Sequence, residues 1–336
     1  MLETTTVGSF PKPDALKAAR AAARRGQLDP AQLRQAEEQA TRECLALQEQ
    51  LGLDILVDGE MYRGDMATYF AEHLEGFTIS SLVRSYGNRY YRKPIATQPI
   101  RWTRPITVDW YRFAAGLTQR PVKGMLTGPY TMMDWSFNEA YPTRRALALA
   151  LAQALHEEVK ALEAAGARYI QIDEPAVSTR PEEIALAVET MRIVTDGIRA
   201  KTITHICYGN FEQVYPQMLE LAVDQIDLEL ANSQYELLTV FRNVPFTKEI
   251  GLGVLDVHSH TVESVPQIKQ SLARALEVFE PARIMVDPDC GLKTRTLEEC
   301  RAKLANMVTA VREFKQERGL AKASAKQDVH SVRSLQ

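Results

Sequence analysis

The sequence is poor in the features that mark membrane, secreted and nucleic-acid-binding proteins. No apolar run approaches the length of a transmembrane span, and the start, MLETTTVGSFPKPD, lacks the basic and apolar regions of a signal peptide. The formal net charge of the 336 residues is only −3, which indicates neither a nucleic acid nor a membrane surface as a partner. These absences predict a cytoplasmic protein.

Cysteine is also scarce, with four residues in the chain. In a reducing cytosol each is expected to be a packed side chain, a ligand or a nucleophile rather than half of a disulfide. Cys44 and Cys300 lie in stretches with a helical spacing of apolar residues, which is typical of packing. Cys207 and Cys290 end short apolar runs shortly before a glycine, so they are the candidates for chemistry.

What the chain does contain is a repeated alternation of short apolar runs and long amphipathic stretches. The runs that predict strands are residues 4–10, 53–60, 122–129, 167–175, 202–209, 225–232, 249–256 and 283–291. The stretches that predict helices include 31–51, 143–165, 182–199, 263–280 and 296–318. Helices between successive strands imply parallel pairing, and eight such units predict a (β/α)8 TIM barrel.

Two parts of the chain fall outside this alternation. The segment between the second and third strands is too long for one helix, and its aromatic, β-branched and turn residues predict a β-hairpin insertion over about 77–110. The residues from 321 to 336 are polar and lack a periodic apolar face, which predicts a loose tail. We therefore expect a single barrel domain over residues 1–320.

The predicted strands end in residues that can do chemistry. In a (β/α)8 barrel the active site lies at the carboxyl ends of the strands. The polar residues at these ends include Ser9, Glu60, Asp173, Glu174, His205, Cys207, Glu229, His258, His260, Asp289 and Cys290. A single carboxylate there can simply cap the next helix. Two thiols, three histidines and several acids on one rim exceed what capping requires.

Four of these residues have the composition of a metal site. His205 and Cys207 stand two apart in a predicted strand, so both side chains point to one face, about 7 Å apart at Cα. Glu229 and Cys290, at the ends of two other strands, add a carboxylate and a second thiolate. Because imidazole, thiolate and carboxylate suit Zn²⁺, the set predicts a zinc site. The His-x-Cys pair alone is also compatible with a strand end whose polar residues are merely buried.

Several motifs resemble the catalytic domain of cobalamin-independent methionine synthase. They are VGSFPKP, DGEMYRGDMATYF, MLTGPYTMMDWSF, IQIDEPA, THICYGNF, DLELANS, LGVLDVHS and PDCGLKTR. The similarity covers about residues 2–318. That family is a zinc-dependent homocysteine S-methyltransferase on a (β/α)8 barrel. The resemblance therefore implies methionine formation from homocysteine, with Zn²⁺ on His205, Cys207, Glu229 and Cys290.

The resemblance also implies roles outside the metal site. The residues that would bind homocysteine are Gly8, Ser9, Glu60 and Asp173. The two acids of this set would take the substrate's ammonium group. His258 matches the proton-handling, catalytic histidine of the family, and Arg89 and Trp135 fall where the family holds its methylpterin.

The methyl donor is the point at which the chain departs from the common form of the family. Long members carry an additional N-terminal barrel that helps to hold a polyglutamylated folate, whereas this chain resembles the short, core-only members. The expected donors are therefore a methyl-corrinoid, either methylcobalamin or a separate corrinoid protein, or 5-methyltetrahydrofolate. Two other functions stay open: methyl transfer to another thiol such as coenzyme M, and a non-catalytic zinc-binding barrel.

Overall fold

The computed structural model of the chain describes residues 1–84, 90–207, 209 and 211–320. The strands are β1 (Glu3–Thr4), β2 (Glu75–Arg84), β3 (Tyr90–Arg101), β4 (Lys123–Thr127), β5 (Phe137–Asn138), β6 (Tyr169–Asp173), β7 (Lys201–Ile206), β8 (Gln225–Leu228), β9 (Glu249–Gly253) and β10 (Ile284–Asp287). The helices are α1 (Asp14–Arg24), α2 (Pro30–Leu51), α3 (Met66–Ala71), α4 (Val108–Ala115), α5 (Pro129–Asp134), α6 (Arg144–Ala164), α7 (Ile184–Thr195), α8 (Leu237–Asn243), α9 (Val265–Ala275) and α10 (Leu297–Glu317). The predicted tail, 321–336, lies outside the described residues.

The main sheet is a curled, parallel sheet of seven strands in the order β1-β10-β9-β8-β7-β6-β4. Helices separate most of its strands along the chain, and strands that enter the sheet in the same direction place their carboxyl ends at one rim. Seven of the eight predicted strands are therefore present. Within the described residues, every helix is too short or too polar to cross a membrane.

The second predicted strand, 53–60, forms only an isolated bridge between Leu56 and Val122. Its backbone still reaches both edges of the sheet, because the Asp54 amide donates to the Thr4 carbonyl at 3.0 Å and the Leu56 amide donates to the Pro121 carbonyl at 2.8 Å. A regular strand does not form because the Gln48 side chain takes both backbone groups of Val57, at 2.8 and 3.0 Å. The expectation of a regular strand here was wrong.

The helices follow the predicted amphipathic stretches closely. Helix α2 begins with a capping box in which Asp29 and Gln32 bond each other's backbone amides, and it ends at Gly52 with a left-handed φ of 89°. Helices α6 and α10 lie within two residues of their predicted limits. Helix α7 ends at Thr195, earlier than predicted, and Gly197 beyond it turns the chain with a φ of 69°.

A smaller sheet, with the order β2-β3-β5, contains the strands of the predicted insertion, β2 and β3, together with β5. Strands β2 and β3 are antiparallel, and β5 joins β3 in parallel. The segment that joins β2 to β3 lies outside the described residues, so the hairpin itself stays a prediction. Helix α6 holds the end of the insertion through Glu158, whose carboxylate accepts bonds from the Ile106 and Thr107 amides at 2.8 and 2.7 Å.

Candidate active site

Three of the four predicted ligands converge at the carboxyl ends of β7 and β10. His205 lies in β7 and Cys207 directly follows it, while Cys290 lies three residues beyond β10. One ligand atom from each residue lies within 4.8 Å of the other two. His205 and Cys207 are buried and Cys290 is half-buried. This is the arrangement that period-two alternation predicted for the His-x-Cys pair.

The residues of this cluster shift one another's pKa. Burial is the largest single influence on the pKa of His205 and lowers it, but the interactions with Cys290 together with the charges of Asp173 and Asp227 outweigh burial and raise the pKa to about 10. A hydrogen bond from Cys207 lowers the pKa of Cys290 well below its ordinary value and raises that of Cys207. Among the described residues, neither ring nitrogen of His205 has a well-formed hydrogen bond. Buried imidazole nitrogen and thiolate are the donor types of protein zinc sites, so the residues fit Zn²⁺.

Glu229, the fourth predicted ligand, takes a different position. It follows β8 and is buried, but it is not part of the 4.8 Å group. Its Oε1 lies 3.5 Å from Nε2 of His258, and its charge helps to raise the pKa of the Cys207 thiol. The structure thus places Glu229 between the sulfur cluster and the predicted catalytic histidine. We call His205, Cys207, Glu229 and Cys290 the metal half of the site.

His258 lies in the loop after β9, where the Asp256 carboxylate accepts its backbone amide at 2.8 Å. Its side chain is about one-third exposed, in contrast to the buried Glu229 that it contacts. His260 is directed elsewhere: its Nδ1 lies 2.6 Å from the Glu299 carboxylate, and its side chain is exposed. Of the two histidines, only His258 faces the metal half.

The remaining predicted residues form a second group, which we call the acid half: Gly8, Ser9, Glu60 and Asp173. Glu60 leans over Gly8, where an added Cβ would lie 2.9 Å from Glu60 Oε1. Ser9 is close to the metal half, because a Cβ on Gly291, next to Cys290, would lie 2.1 Å from its Oγ. The Ser9 carbonyl also accepts the Leu292 amide at 2.7 Å. The two halves therefore lie side by side at one rim of the sheet.

Asp173 is the last residue of β6, and charged groups from both halves of the site shift its pKa. Burial raises its pKa to about 6, the charge of His205 lowers it, and the charge of Glu60 raises it. The Gln171 amide donates to the Asp173 carboxylate and to the Val7 carbonyl, both at 2.7 Å. Gln171 thus joins the segment after β1 to the end of β6 and fixes the position of the Asp173 carboxylate.

Glu60 stands in a turn whose backbone is unusual. Both Gly59 and Glu60 have a positive φ, of 73° and 54°, which is uncommon for a residue other than glycine. Gly59 has no room for a side chain, since a Cβ there would lie 2.5 Å from the Cys44 sulfur. Asp58 stabilises the turn by accepting the Glu60 amide at 2.8 Å. Such strain concentrates at functional sites.

Two cations that the sequence analysis missed hold this turn. The Lys12 ammonium donates to the carbonyls of Gly59, at 3.2 Å, and Glu60. Burial is the main cause that lowers the pKa of Lys12, to about 8. Arg63 is buried, and its guanidinium lies 3.4 Å from Glu60 Oε1. Both stand in quoted motifs, SFPKP and GEMYRGD, but only the fold reveals what they contact.

Two buried carboxylates next to site residues connect neighbouring loops. Glu174, beside Asp173, accepts the amides of Tyr130 and Thr131 at 3.0 and 2.7 Å and so holds the start of α5. Asp289, beside Cys290, accepts three amides of the loop after Glu229. The sequence analysis placed both acids on the rim without a role.

The predicted donor residues are the least described. Trp135 follows α5 and packs, partly buried, against the core. Arg89 lies outside the described residues. Their assignment to the methyl donor stays a prediction.

Comparisons with known proteins decide the family. The family model described as cobalamin-independent synthase, catalytic domain, matches residues 2–313. This chain belongs to the cobalamin-independent methionine synthase family. The methionine synthase of Sulfolobus acidocaldarius is 37% identical over 330 residues, which cover 97% of both chains.

Longer relatives are similar over the same region. The 5-methyltetrahydropteroyltriglutamate--homocysteine methyltransferase of Mycolicibacterium paratuberculosis is 42% identical over 326 residues, or 94% of this chain. The chain spans less than half the length of that relative, 43%. Among solved structures, a B12-independent methionine synthase from Shewanella sp. in complex with selenomethionine has a TM-score of 0.84 and 29% identity, covering 96% of this chain and 100% of that one.

The family corrects the expected methyl donor. A methyl-corrinoid, whether methylcobalamin or a separate corrinoid protein, conflicts with a family described as cobalamin-independent. The expectation of a corrinoid donor rested on the short length of the chain. The Sulfolobus relative, of which this chain covers 97%, is similarly short and is named a methionine synthase.

Proposed function

We propose that the protein is a zinc-dependent homocysteine S-methyltransferase that forms methionine, with a 5-methyltetrahydropteroylglutamate as methyl donor. The observation that carries the proposal is that a His-Cys-Cys cluster and two carboxylates, Glu60 and Asp173, lie side by side at one rim. We infer that one substrate opening lies between them. The cluster suits a thiol and the carboxylates suit an ammonium group. Homocysteine carries both groups in one small molecule.

The metal half would hold Zn²⁺ through His205, Cys207 and Cys290, with Glu229 as the fourth ligand. Bound zinc would supply a lowered pKa for the substrate thiol, so that a nucleophilic thiolate exists at neutral pH. Glu229 is the hard, oxygen ligand of the set, stands outside the 4.8 Å group, and has its Oε1 3.5 Å from Nε2 of His258. We therefore assign to Glu229 the role of the ligand that would give way to the substrate sulfur.

The acid half would hold the amino-acid end of homocysteine. Glu60 and Asp173 present two carboxylates to the ammonium group, and a charge-assisted hydrogen bond is among the stronger polar contacts. Ser9, in the segment that follows β1, would offer its hydroxyl to the substrate carboxylate, together with the backbone of that segment. Two acids would repel the sulfonate of coenzyme M, so this arrangement favours an amino-acid thiol as acceptor.

His258 would act as the general acid. When the methyl group leaves a pterin nitrogen, that nitrogen needs a proton, and histidine can carry one near neutral pH. Its one-third exposed ring reaches the opening from the loop after β9, and Glu229 holds the ring's Nε2 side at 3.5 Å.

The donor would lie on the side of the opening formed by α5 and the β2-β3 insertion. We assign the pterin to Trp135, whose half-buried indole offers a flat apolar face, and to Arg89. The names of the long relatives specify a methylated pteroyltriglutamate. We also propose that residues 1–320 act as one catalytic unit.

The direct test is methionine formation from homocysteine and 5-methyltetrahydropteroyltriglutamate, with and without a zinc chelator. We expect turnover that the chelator abolishes and added Zn²⁺ restores. A parallel assay with methylcobalamin is expected to give none. A protein that binds zinc yet turns over no methyl donor would instead be a non-catalytic zinc-binding barrel, and turnover with coenzyme M in place of homocysteine would reassign the acceptor.

A further inference from the structure

Asp289 makes an unusual set of contacts for a residue beside a predicted ligand. It precedes Cys290 and is fully buried. Its Oδ1 accepts the amides of Leu230 and Ala231 at 3.0 and 2.9 Å, and its Oδ2 accepts the amide of Asn232 at 2.6 Å. These are the three residues that directly follow Glu229.

The link spans one whole strand. Strand β9 lies between β8 and β10 in the sheet, so the carboxylate must pass over it to reach the loop after β8. Gly253, the last residue of β9, leaves that passage open: a Cβ there would lie 2.2 Å from Asp289 Oδ1 and 2.7 Å from the Leu228 carbonyl. Because Gly253 has no side chain, the Asp289 carboxylate has room to reach the backbone after Glu229.

We propose that Asp289 is a positioning residue that fixes Glu229 relative to Cys290. Three bonds tie the backbone after Glu229 to the residue before Cys290, so the metal half is held together across β9 by one carboxylate. This inference rests on the proposed function, because it gives Asp289 the task of placing a zinc ligand. Asp289 itself lies outside the set of metal and substrate contacts.

Glu174 offers a matched control for this role. It is also a fully buried carboxylate that follows a site residue and accepts backbone amides of a neighbouring loop. The loop that it holds begins α5 and contains no predicted metal ligand. Loss of either carboxylate therefore disturbs a loop at the same rim, but only Asp289 holds the loop of Glu229.

The first experiment measures zinc affinity by competition with a chelator for wild type, Asp289→Asn and Glu174→Gln. The Asn amide turns an N–H group toward amide donors, which leaves part of the loop without acceptors. We expect Asp289→Asn to weaken zinc binding by about 10- to 100-fold, as loss of an outer partner of a ligand does, and zinc X-ray absorption to show one fewer light ligand. Glu174→Gln is expected to change neither.

The second experiment separates positioning from general loss of structure. In a Glu229→Ala background, Asp289→Asn should cost no further zinc affinity, because the ligand that it places is already absent. An additive loss would show that Asp289 acts on the fold as a whole and would overturn the inference. If Asp289→Asn does not fold, Gly253→Ala is the substitute, since its Cβ displaces the same carboxylate.

Failure of the inference differs from failure of the proposed function. A wild-type protein that binds no zinc overturns both. A wild-type protein that binds zinc, beside a folded Asp289→Asn variant with the same affinity and the same ligand shell, overturns the inference and leaves the proposed function standing.

Discussion

The metal half and the acid half of the site are built in different ways. The residues of the metal half stand at or just beyond the ends of β7, β8 and β10, in a parallel sheet whose register sets their height and direction. In the acid half, Glu60 stands in a turn with two successive positive φ values, at the one predicted strand that is irregular. Regular strands position the thiol and imidazole groups of the metal half, whereas the buried Arg63, the half-buried Lys12 and a turn with positive φ values position the Glu60 carboxylate.

Because of this difference, we expect the two halves to be sensitive to different substitutions. The metal half depends on its own donor atoms and on the Asp289 link across β9. The acid half depends on side chains that never meet substrate in our proposal, Lys12 and Arg63, because they hold the turn that presents Glu60. Substitutions should therefore separate zinc binding from homocysteine binding.

The largest effect is expected from removing a donor of the metal half. Cys290→Ala takes away one of the two sulfurs within the 4.8 Å cluster. We expect zinc affinity to fall by more than about 100-fold, beyond the loss caused by outer partners of a ligand, and methionine formation to stop. Chelator competition measures the affinity. Cys300→Ala removes a buried, packed thiol and should leave zinc bound; equal losses in both variants would contradict the assignment.

A smaller and different effect is expected in the acid half. Glu60→Gln removes the charge that would pair with the ammonium group, a contact worth about 1.5–3 kcal/mol. We expect the KM for homocysteine to rise by about 10- to 100-fold while zinc affinity stays unchanged. Steady-state kinetics beside the chelator assay measures both. If zinc affinity falls and the KM does not rise, the division into halves is wrong.

Lys12→Met sharpens the comparison further, because Lys12 acts only through the turn. Without its ammonium the carbonyls of Gly59 and Glu60 lose a donor, and the positive-φ turn loses a contact that holds it. We expect a rise of a few-fold, roughly 1 kcal/mol, in the KM for homocysteine. Lys17→Met, on the exposed face of α1, is the control, since among the described residues the ammonium of Lys17 pairs with Asp14 on the same helix, away from the Glu60 turn. Equal kinetics in the two variants would remove Lys12 from the account.

The smallest effect concerns stability and pH at Glu174. Burial is the main cause that raises its pKa to about 7 from a usual value near 4.5. Because the folded state binds this proton more tightly, its contribution to stability is complete below about pH 4.5 and is lost as the pH rises through about 7. The free energy of unfolding, measured with denaturant, should fall as the pH rises across this range. Glu174→Gln should reduce that pH dependence by the equivalent of one bound proton. An unchanged pH dependence would mean that Glu174 is ionised in the fold.

The success of the sequence reasoning follows the same division. Period-two alternation was enough to bring His205 and Cys207 to one face, and the convergence of parallel strand ends brought Cys290 to them. The helices followed from their apolar stripes and capping residues. These features depend on short-range patterns that a sequence displays directly.

What the sequence could not reveal depends on contacts between distant segments. The Gln48 side chain bonds the Val57 backbone in place of a neighbouring strand, and Lys12 bonds the backbone of the Glu60 turn. The Asp289 carboxylate passes over Gly253 and bonds the loop after Glu229. Each is a polar side chain that bonds the backbone of another element, and nothing in its local pattern identifies the partner. The corrinoid donor was wrong for another reason, since chain length carries no chemistry.

The most direct test of the account is zinc X-ray absorption of the zinc-loaded protein before and after addition of homocysteine. In the proposed zinc site, Cys207 and Cys290 would supply two sulfur ligands. The account predicts that homocysteine adds a third sulfur and that one light ligand, the Glu229 carboxylate, leaves. A zinc shell that stays unchanged at saturating homocysteine would contradict the claim that the two halves bind one substrate together.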